Sequence, residues 1–284
     1  MGSAAVGYAR ENAARFLEEL KTLLRIPSVS TTLEHKGDVE KAAARVAAEL
    51  RRIGVEHVEV IRSAKWHPLL YADWLHAAGK PTVLCYAHYD VQPPDPLDEW
   101  VSPPFEPTER NGNIYARGAV DDKGQLYLQV KALESLFANN GGKLPINVRV
   151  IYEGEGEVGG ERIEAFVREH PDRLKADFAL ISDTEMFAPE LPTLCVGLRG
   201  MIYTELEVRG AKTDLHSGMY GGAAPNPFVA LAQIIAGLKD REGKILIPGF
   251  YDAVQKPSDD ELKAWKALPF DEEEYREKEM GEIG

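Results

Sequence analysis

Four short stretches of this sequence carry groups that bind cations or move protons. The first is His88-Tyr89-Asp90, and the second is Gly118-Ala119-Val120-Asp121-Asp122-Lys123-Gly124. The third is Glu153-Gly154-Glu155-Gly156-Glu157-Val158-Gly159-Gly160, and the fourth is Ile181-Ser182-Asp183. In an extended chain residues i and i+2 point to the same side. Asp90 is therefore placed to accept a hydrogen bond from the His88 ring and to strengthen its other nitrogen as a ligand. An aspartate pair ahead of a helix reads either as an N-cap or as a carboxylate that bridges two cations. Crowded acids among glycines repel one another unless a cation sits nearby. Singly, these stretches have plain readings: a surface loop, a helix cap, an acidic turn. Together, one imidazole and several carboxylates supply the nitrogen and oxygen donors of a two-metal hydrolytic centre.

The elements around these stretches place them at one edge. Apolar runs predict strands at His57–Ile61, Leu69–Leu75, Thr82–His88, Ile146–Tyr152 and Phe178–Ser182. Amphipathic periodicity predicts helices over Arg10–Arg25, Val39–Ile53 with Gly54 as its C-cap, Gln125–Asn139 and Arg162–Glu169. Strands alternating with helices give an α/β domain with a mostly parallel sheet and helices on both faces. In such sheets the carboxyl ends of the strands build the site, and His88, the glutamate-rich turn and Asp183 all follow strand ends. The pattern changes near Leu194. Strands are predicted at Leu194–Val196 and Met201–Val208, and Pro225 introduces a helix over Asn226–Leu238. A boundary near Val196–Gly200 divides the chain into residues 1–196 and 197–284.

Composition narrows the partners. The formal charge of −13 argues against nucleic acid, which needs clustered Lys and Arg. From Pro257 onward ten acids face four bases, which reads as a solvated surface segment. No apolar run approaches the roughly 20 residues that span a bilayer. The first residues lack the basic and apolar pattern of a secretion signal, so a cytoplasmic location with no membrane partner is expected. Cys85 and Cys195 lie in apolar runs that read as strands, and both are expected to be buried reduced thiols.

With these motifs in view, the sequence resembles a known family. His88-Tyr89-Asp90-Val91-Gln92-Pro93, Trp100-Val101-Ser102-Pro103-Pro104-Phe105, Tyr115–Gly124, Leu198-Arg199-Gly200 and Asp214-Leu215-His216-Ser217-Gly218 resemble the M20 metallopeptidases, in their carnosinase-like dipeptidase branch. The resemblance implies a zinc-peptidase-like catalytic domain plus a smaller α+β lid and dimerisation domain. It implies two divalent ions, Zn2+ with Mn2+ or Co2+ as alternatives. His88 and Asp183 would bind one ion, Glu157 the other, and Asp121 both. Asp90 would orient His88, and a cis peptide bond would join Asp121 to Asp122. His216 would serve the active site of a partner subunit in a homodimer, and Arg199 would meet the substrate carboxylate. The implied reaction is hydrolysis of dipeptides or short peptides by metal-activated water.

Two departures from the family pattern bear on activity. The family has two adjacent glutamates, the first a general base and the second a ligand. With the ligand on Glu157, the base position falls on Gly156. The resemblance also implies that the lid domain is incomplete at Gly284 and that a last histidine ligand lies elsewhere. A second fragment completing the fold is then expected as a partner. An impaired peptidase is the leading expectation. The alternatives are a non-catalytic metal-binding or dimerising homologue, or another M20 amide or acyl-amino-acid hydrolase.

Overall fold

The computed structural model describes residues 2–188 and 191–281. Met1, Pro189 and Glu190 lie outside the described residues, as does Glu282, the last acid of the C-terminal run. The chain divides into two compact units, Met1–Leu198 and Arg199–Gly284.

The first unit begins with α1 (Gly2–Glu11) and α2 (Ala13–Leu24), where the sequence predicts a single helix over Arg10–Arg25. The break is Asn12, whose side-chain amide donates to the Tyr8 carbonyl at 2.9 Å. Its own N–H bonds the same carbonyl at 3.0 Å, so the side chain adds to the ladder there, and the break is a turn at φ −102° and ψ 8° that periodicity alone does not register. Then follow α3 (Lys36–Ile53), β1 (Glu56–Ile61), β2 (Leu69–Trp74) and β3 (Thr82–His88). Gly54 closes α3 with φ of 101°, a left-handed conformation that suits glycine. A small hairpin, β4 (Thr108–Arg110) and β5 (Asn113–Tyr115), leads to α4 (Lys123–Asn139). The unit continues with β6 (Asn147–Glu153), α5 (Glu161–Glu169), α6 (Pro171–Leu174) and β7 (Phe178–Ile181).

The main sheet has the order β1-β2-β6-β3-β7. β3 pairs in parallel with both β6 and β7, while β2 is antiparallel to β1 and to β6. β2 is thus the one strand that runs against the other four. Alternate residues of β2 feed two cores. Leu70 and Ala72 join Val46, Leu50, Leu126 and Val130 from α3 and α4, whereas Leu69 and Tyr71 join Ile151, Phe166 and Leu174 on the side of α5 and α6. Every β2 residue is buried, as expected of a strand covered on both faces. Emptying such a position, as in Leu70→Ala, costs on the order of 2–5 kcal/mol.

The second unit contains α7 (Ser217–Tyr220), α8 (Pro227–Ala236), α9 (Asp259–Lys266) and α10 (Glu272–Glu274). Pro227 occupies the first turn of α8 behind an Asn226 cap, whose side chain accepts from the Phe228 N–H at 2.9 Å. Part of the acidic run is helix starts. Asp259, Asp260 and Glu261 sit in the first turn of α9 under a Ser258–Glu261 capping box. Glu272–Glu274 follow an Asp271 cap. Carboxylates favour that end of a helix dipole. The strands predicted at 194–196 and 201–208 are not formed. These residues are exposed and have no ladder partner among the described residues, and an alternating pattern becomes a strand only where a neighbour takes its N–H and C=O groups.

Candidate metal centre

Parallel pairing brings the ends of β3, β6 and β7 to one edge. His88 ends β3 in register with Glu153, the last residue of β6. Beyond β6 the chain turns through a short 3-10 segment, Gly156–Val158, that carries Glu157. Asp183 lies two residues past β7, and Asp121 and Asp122 precede α4.

The donors converge on the His88 ring. Its Nε2 is 3.2 Å from Asp121 Oδ1 and 3.7 Å from Asp183 Oδ2. Two adjoining groups have donor atoms all within 4.8 Å of one another: His88 with Asp121 and Glu157, and His88 with Asp122 and Asp183. On the other side of the ring, Nδ1 lies 3.1 Å from the Asp90 carbonyl oxygen and 3.2 Å from Asp90 Oδ1. Both neighbours are acceptors, so Nδ1 carries a proton, and Nε2 faces the acids, where it either donates as an imidazolium or offers its lone pair to a cation.

Asp90 is fully buried and does more than orient the ring. Its carboxylate also accepts from the Gly156 N–H at 3.0 Å, the Glu157 N–H at 3.1 Å and the Ser30 hydroxyl at 2.6 Å. One buried side chain thus ties the histidine of β3 to the turn bearing Glu157.

Asp122 occupies the N-cap position of α4, but its side chain makes no capping bond. Instead Oδ2 accepts the His88 backbone N–H at 3.0 Å, while Oδ1 is buried without a partner. The peptide bond between Asp121 and Asp122 is cis.

The electrostatics show the same demand for positive charge. Burial opposes a charged His88 ring, yet the hydrogen bond and charge of Asp90, with Asp122 and Asp183, push it up to about 10. Burial raises Asp122 to about 7 and Glu153 to about 7, and it raises Glu157 and Asp183 as well. A divalent cation answers both the orphaned Asp122 oxygen and the crowding of acids around one imidazole. The donor set of one nitrogen and several carboxylate oxygens is one that zinc and similar ions accept.

The glycine at the expected base position is packed rather than vacant. A Cβ on Gly156 would lie 2.5 Å from His88 Cγ and 2.7 Å from His88 Cβ. Glu155, the nearest acid in sequence, is directed elsewhere: its oxygens accept the His67 N–H at 2.9 Å and the Arg162 N–H at 3.3 Å.

Several contributors escape sequence reasoning. Gln92 donates to Glu157 Oε2 at 3.0 Å, and Ser30 supports Asp90 from a segment 60 residues away in sequence. Lys123 is fully buried, donates to the Leu23 and Ile26 carbonyls at 3.3 and 2.6 Å, and is drawn down to about 7 by burial. Gln92 and Lys123 both lie within the motifs that carry the family resemblance, which was the available signal. Of the other expected site residues, Arg199 is the first residue of the second unit. His216 caps α7 there, its Nδ1 accepting the Gly218 N–H at 3.1 Å.

A strand edge that gathers an imidazole and four carboxylates into two adjoining cation-sized groups offers the kind of donor set that metal-dependent hydrolases use. The chain belongs to peptidase family M20/M25/M40, whose model matches residues 84–244. It is 34% identical over 264 residues to a Beta-Ala-His dipeptidase of Homo sapiens, covering 92% of this chain and 50% of that protein. It is 33% identical over 275 residues to the Cys-Gly metallodipeptidase dug1 of Schizosaccharomyces pombe, covering 92% and 57%. Among solved structures it is similar to an M20 family metallo-carboxypeptidase of Sulfolobus solfataricus, with a TM-score of 0.75 and 34% identity over 95% of this chain and 60% of that one. Human carnosine dipeptidase 1 gives a TM-score of 0.69 at 28% identity, over 99% and 62%. The chain spans about half the length of the curated relatives it matches.

Proposed function

We propose that this chain is the metal-holding part of a dinuclear M20 peptidase acting on dipeptides or short peptides, with hydrolysis impaired at the proton-transfer step. The observation that carries this reading is the pair of adjoining donor groups sharing His88. His88, Asp121, Glu157 and Asp183 would hold the ions, two Zn2+ in the first instance. The ions, when bound, would supply Lewis acidity toward a water and the scissile carbonyl. Asp90 keeps the His88 tautomer fixed and the Glu157 turn in place. Gly156 offers no group to accept or return a proton, and Glu155 is engaged with two backbone N–H groups. Loss of a general base lowers rates by about 10²–10⁴-fold.

The names of the relatives support a dipeptide substrate. A homodimer using His216 in the partner's site, Arg199 on the substrate carboxylate and a cytoplasmic location belong to the same proposal. Among the described residues no helix is long and apolar enough to cross a membrane.

One observation favours a second reading, a metal-binding homologue without turnover: the His88 ring occupies the space that a side chain at 156 would need. Both readings are tested by metal content and by hydrolysis of Beta-Ala-His and Cys-Gly at high protein concentration. Bound metal with slow, chelator-sensitive hydrolysis supports the peptidase. Bound metal with no turnover supports the second reading, and absence of metal removes both.

A further inference from the structure

Glu157 stands in a turn with little to orient its side chain. Its neighbours include Gly156, Gly159 and Gly160, which contribute no side-chain packing. The Asp90 clamp grips the backbone N–H of Glu157, not its carboxylate. Among the described residues a single side chain hydrogen-bonds that carboxylate. The Gln92 amide nitrogen donates to Oε2 at 3.0 Å and to the Glu157 carbonyl oxygen at 3.3 Å.

Gln92 is itself firmly based. The preceding residue, Val91, is fully buried, its N–H donates to the Ser28 carbonyl at 3.0 Å, and it bridges Val29 in parallel. The amide therefore reaches across from a fixed backbone and engages one oxygen of Glu157 together with that residue's own carbonyl.

We infer that Gln92 is a positioning residue for the metal centre: it occupies one Glu157 oxygen and leaves the other to a cation shared with Asp121. This rests on the metal-centre reading. An amide suits the role because it donates without adding charge, so it holds the carboxylate without competing for the ion. Outer partners of this kind typically change metal affinity by about 10–100-fold.

The test uses the full 284-residue chain and Zn2+ competition against a chelating fluorophore, with urea unfolding of the metal-free proteins alongside. Gln92→Leu is expected to weaken Zn2+ binding by about 10–100-fold and to leave the metal-free midpoint unchanged, which a purely structural residue would not do. In a Glu157→Gln background the same substitution is expected to add no further loss, because the residue acts through that carboxylate. Should leucine disturb the loop, Gln92→Asn, which keeps the amide but is too short to reach, carries the comparison. Unchanged affinity, or an additive loss in the double variant, overturns the inference while leaving the metal centre standing. A parent chain that binds no Zn2+ overturns the metal centre itself and this inference with it.

Discussion

The packing of Gly156 makes a sharp prediction for Gly156→Ala. A methyl group there would sit 2.5 Å from His88 Cγ and 2.7 Å from His88 Cβ, where carbon atoms normally rest about 3.5–4.0 Å apart. Relief of about an ångström must come from one side or the other. The His88 side is 3% exposed, hydrogen-bonded through its ring to Asp90 and through its backbone N–H to Asp122. The Gly156 side is held by two backbone N–H groups on the Asp90 carboxylate. Overpacking of this kind costs about 1–3 kcal/mol. Turning the ring cannot relieve these contacts, because Cβ and Cγ lie on the axis of that rotation, so either the end of β3 shifts or the turn lifts and strains two hydrogen bonds to a charged group, each of about 1.5–3 kcal/mol. The metal-free protein should lose about 1–3 kcal/mol in urea unfolding, with a melting temperature lower by roughly 2–4 °C per kcal/mol in a unit of this size. Because either shift displaces His88 or Glu157, Zn2+ affinity should fall by about 10–100-fold. Gly156→Glu meets the same obstacle at its Cβ, so the substitution that the family pattern invites should damage the site rather than restore hydrolysis. A Gly156→Ala protein as stable as the parent and with the same Zn2+ affinity would refute this reasoning.

Three further outcomes follow from the same coordinates. Burial works against an ionised Glu134, but hydrogen bonds from Arg52, Lys131 and Arg15 hold it down to about 2, below the ordinary 4.5. Its contribution, up to about 3 kcal/mol, is complete above pH 4.5 and disappears as pH falls toward 2. Urea midpoints of the parent and Glu134→Gln should therefore differ at pH 7 and converge near pH 2. Asp90→Asn replaces two acceptor oxygens by one, so the turn at 156–157 should loosen; amide hydrogen exchange at Gly156 and Glu157 should accelerate and Zn2+ affinity fall by at least 10-fold. Removing metal with a chelator should lower stability by about 2.7 kcal/mol per bound ion relative to protein held at 100 times the dissociation constant, read as a melting shift that added Zn2+ reverses.

Much of this architecture is legible in local patterns. Thr82–His88 is an apolar run that needs cover on both faces, and it is an interior strand between β6 and β7. Gly54 and the Asn226-Pro227 pair mark helix ends by backbone chemistry that acts within a few residues. The candidate donors His88, Glu157 and Asp183 are visible as an imidazole and acids that end or follow strands whose ends parallel pairing brings together, and Asp121 as an acid just ahead of α4.

What stays hidden depends on partners distant in sequence or on exact volume. The helix turns at Asn12, whose backbone leaves helical geometry, and residues 201–208 alternate correctly yet find no strand to pair with among the described residues. The adjacency of Asp121 and Asp122 reads as a cap, but Asp122 serves the His88 backbone 34 residues away. Gly156 reads as a missing base. Only the position of the His88 ring shows that the surrounding structure has closed over the space.

The central claim is that the edge of β3, β6 and β7 holds divalent ions through His88, Asp121, Glu157 and Asp183. Elemental analysis of the purified 284-residue chain and its His88→Ala variant, each equilibrated with Zn2+ and desalted, tests it most directly. Two ions per parent chain and loss of the ion that the His88 imidazole holds are the predicted result. A parent chain that retains no ion, or a variant that keeps both, would contradict the account.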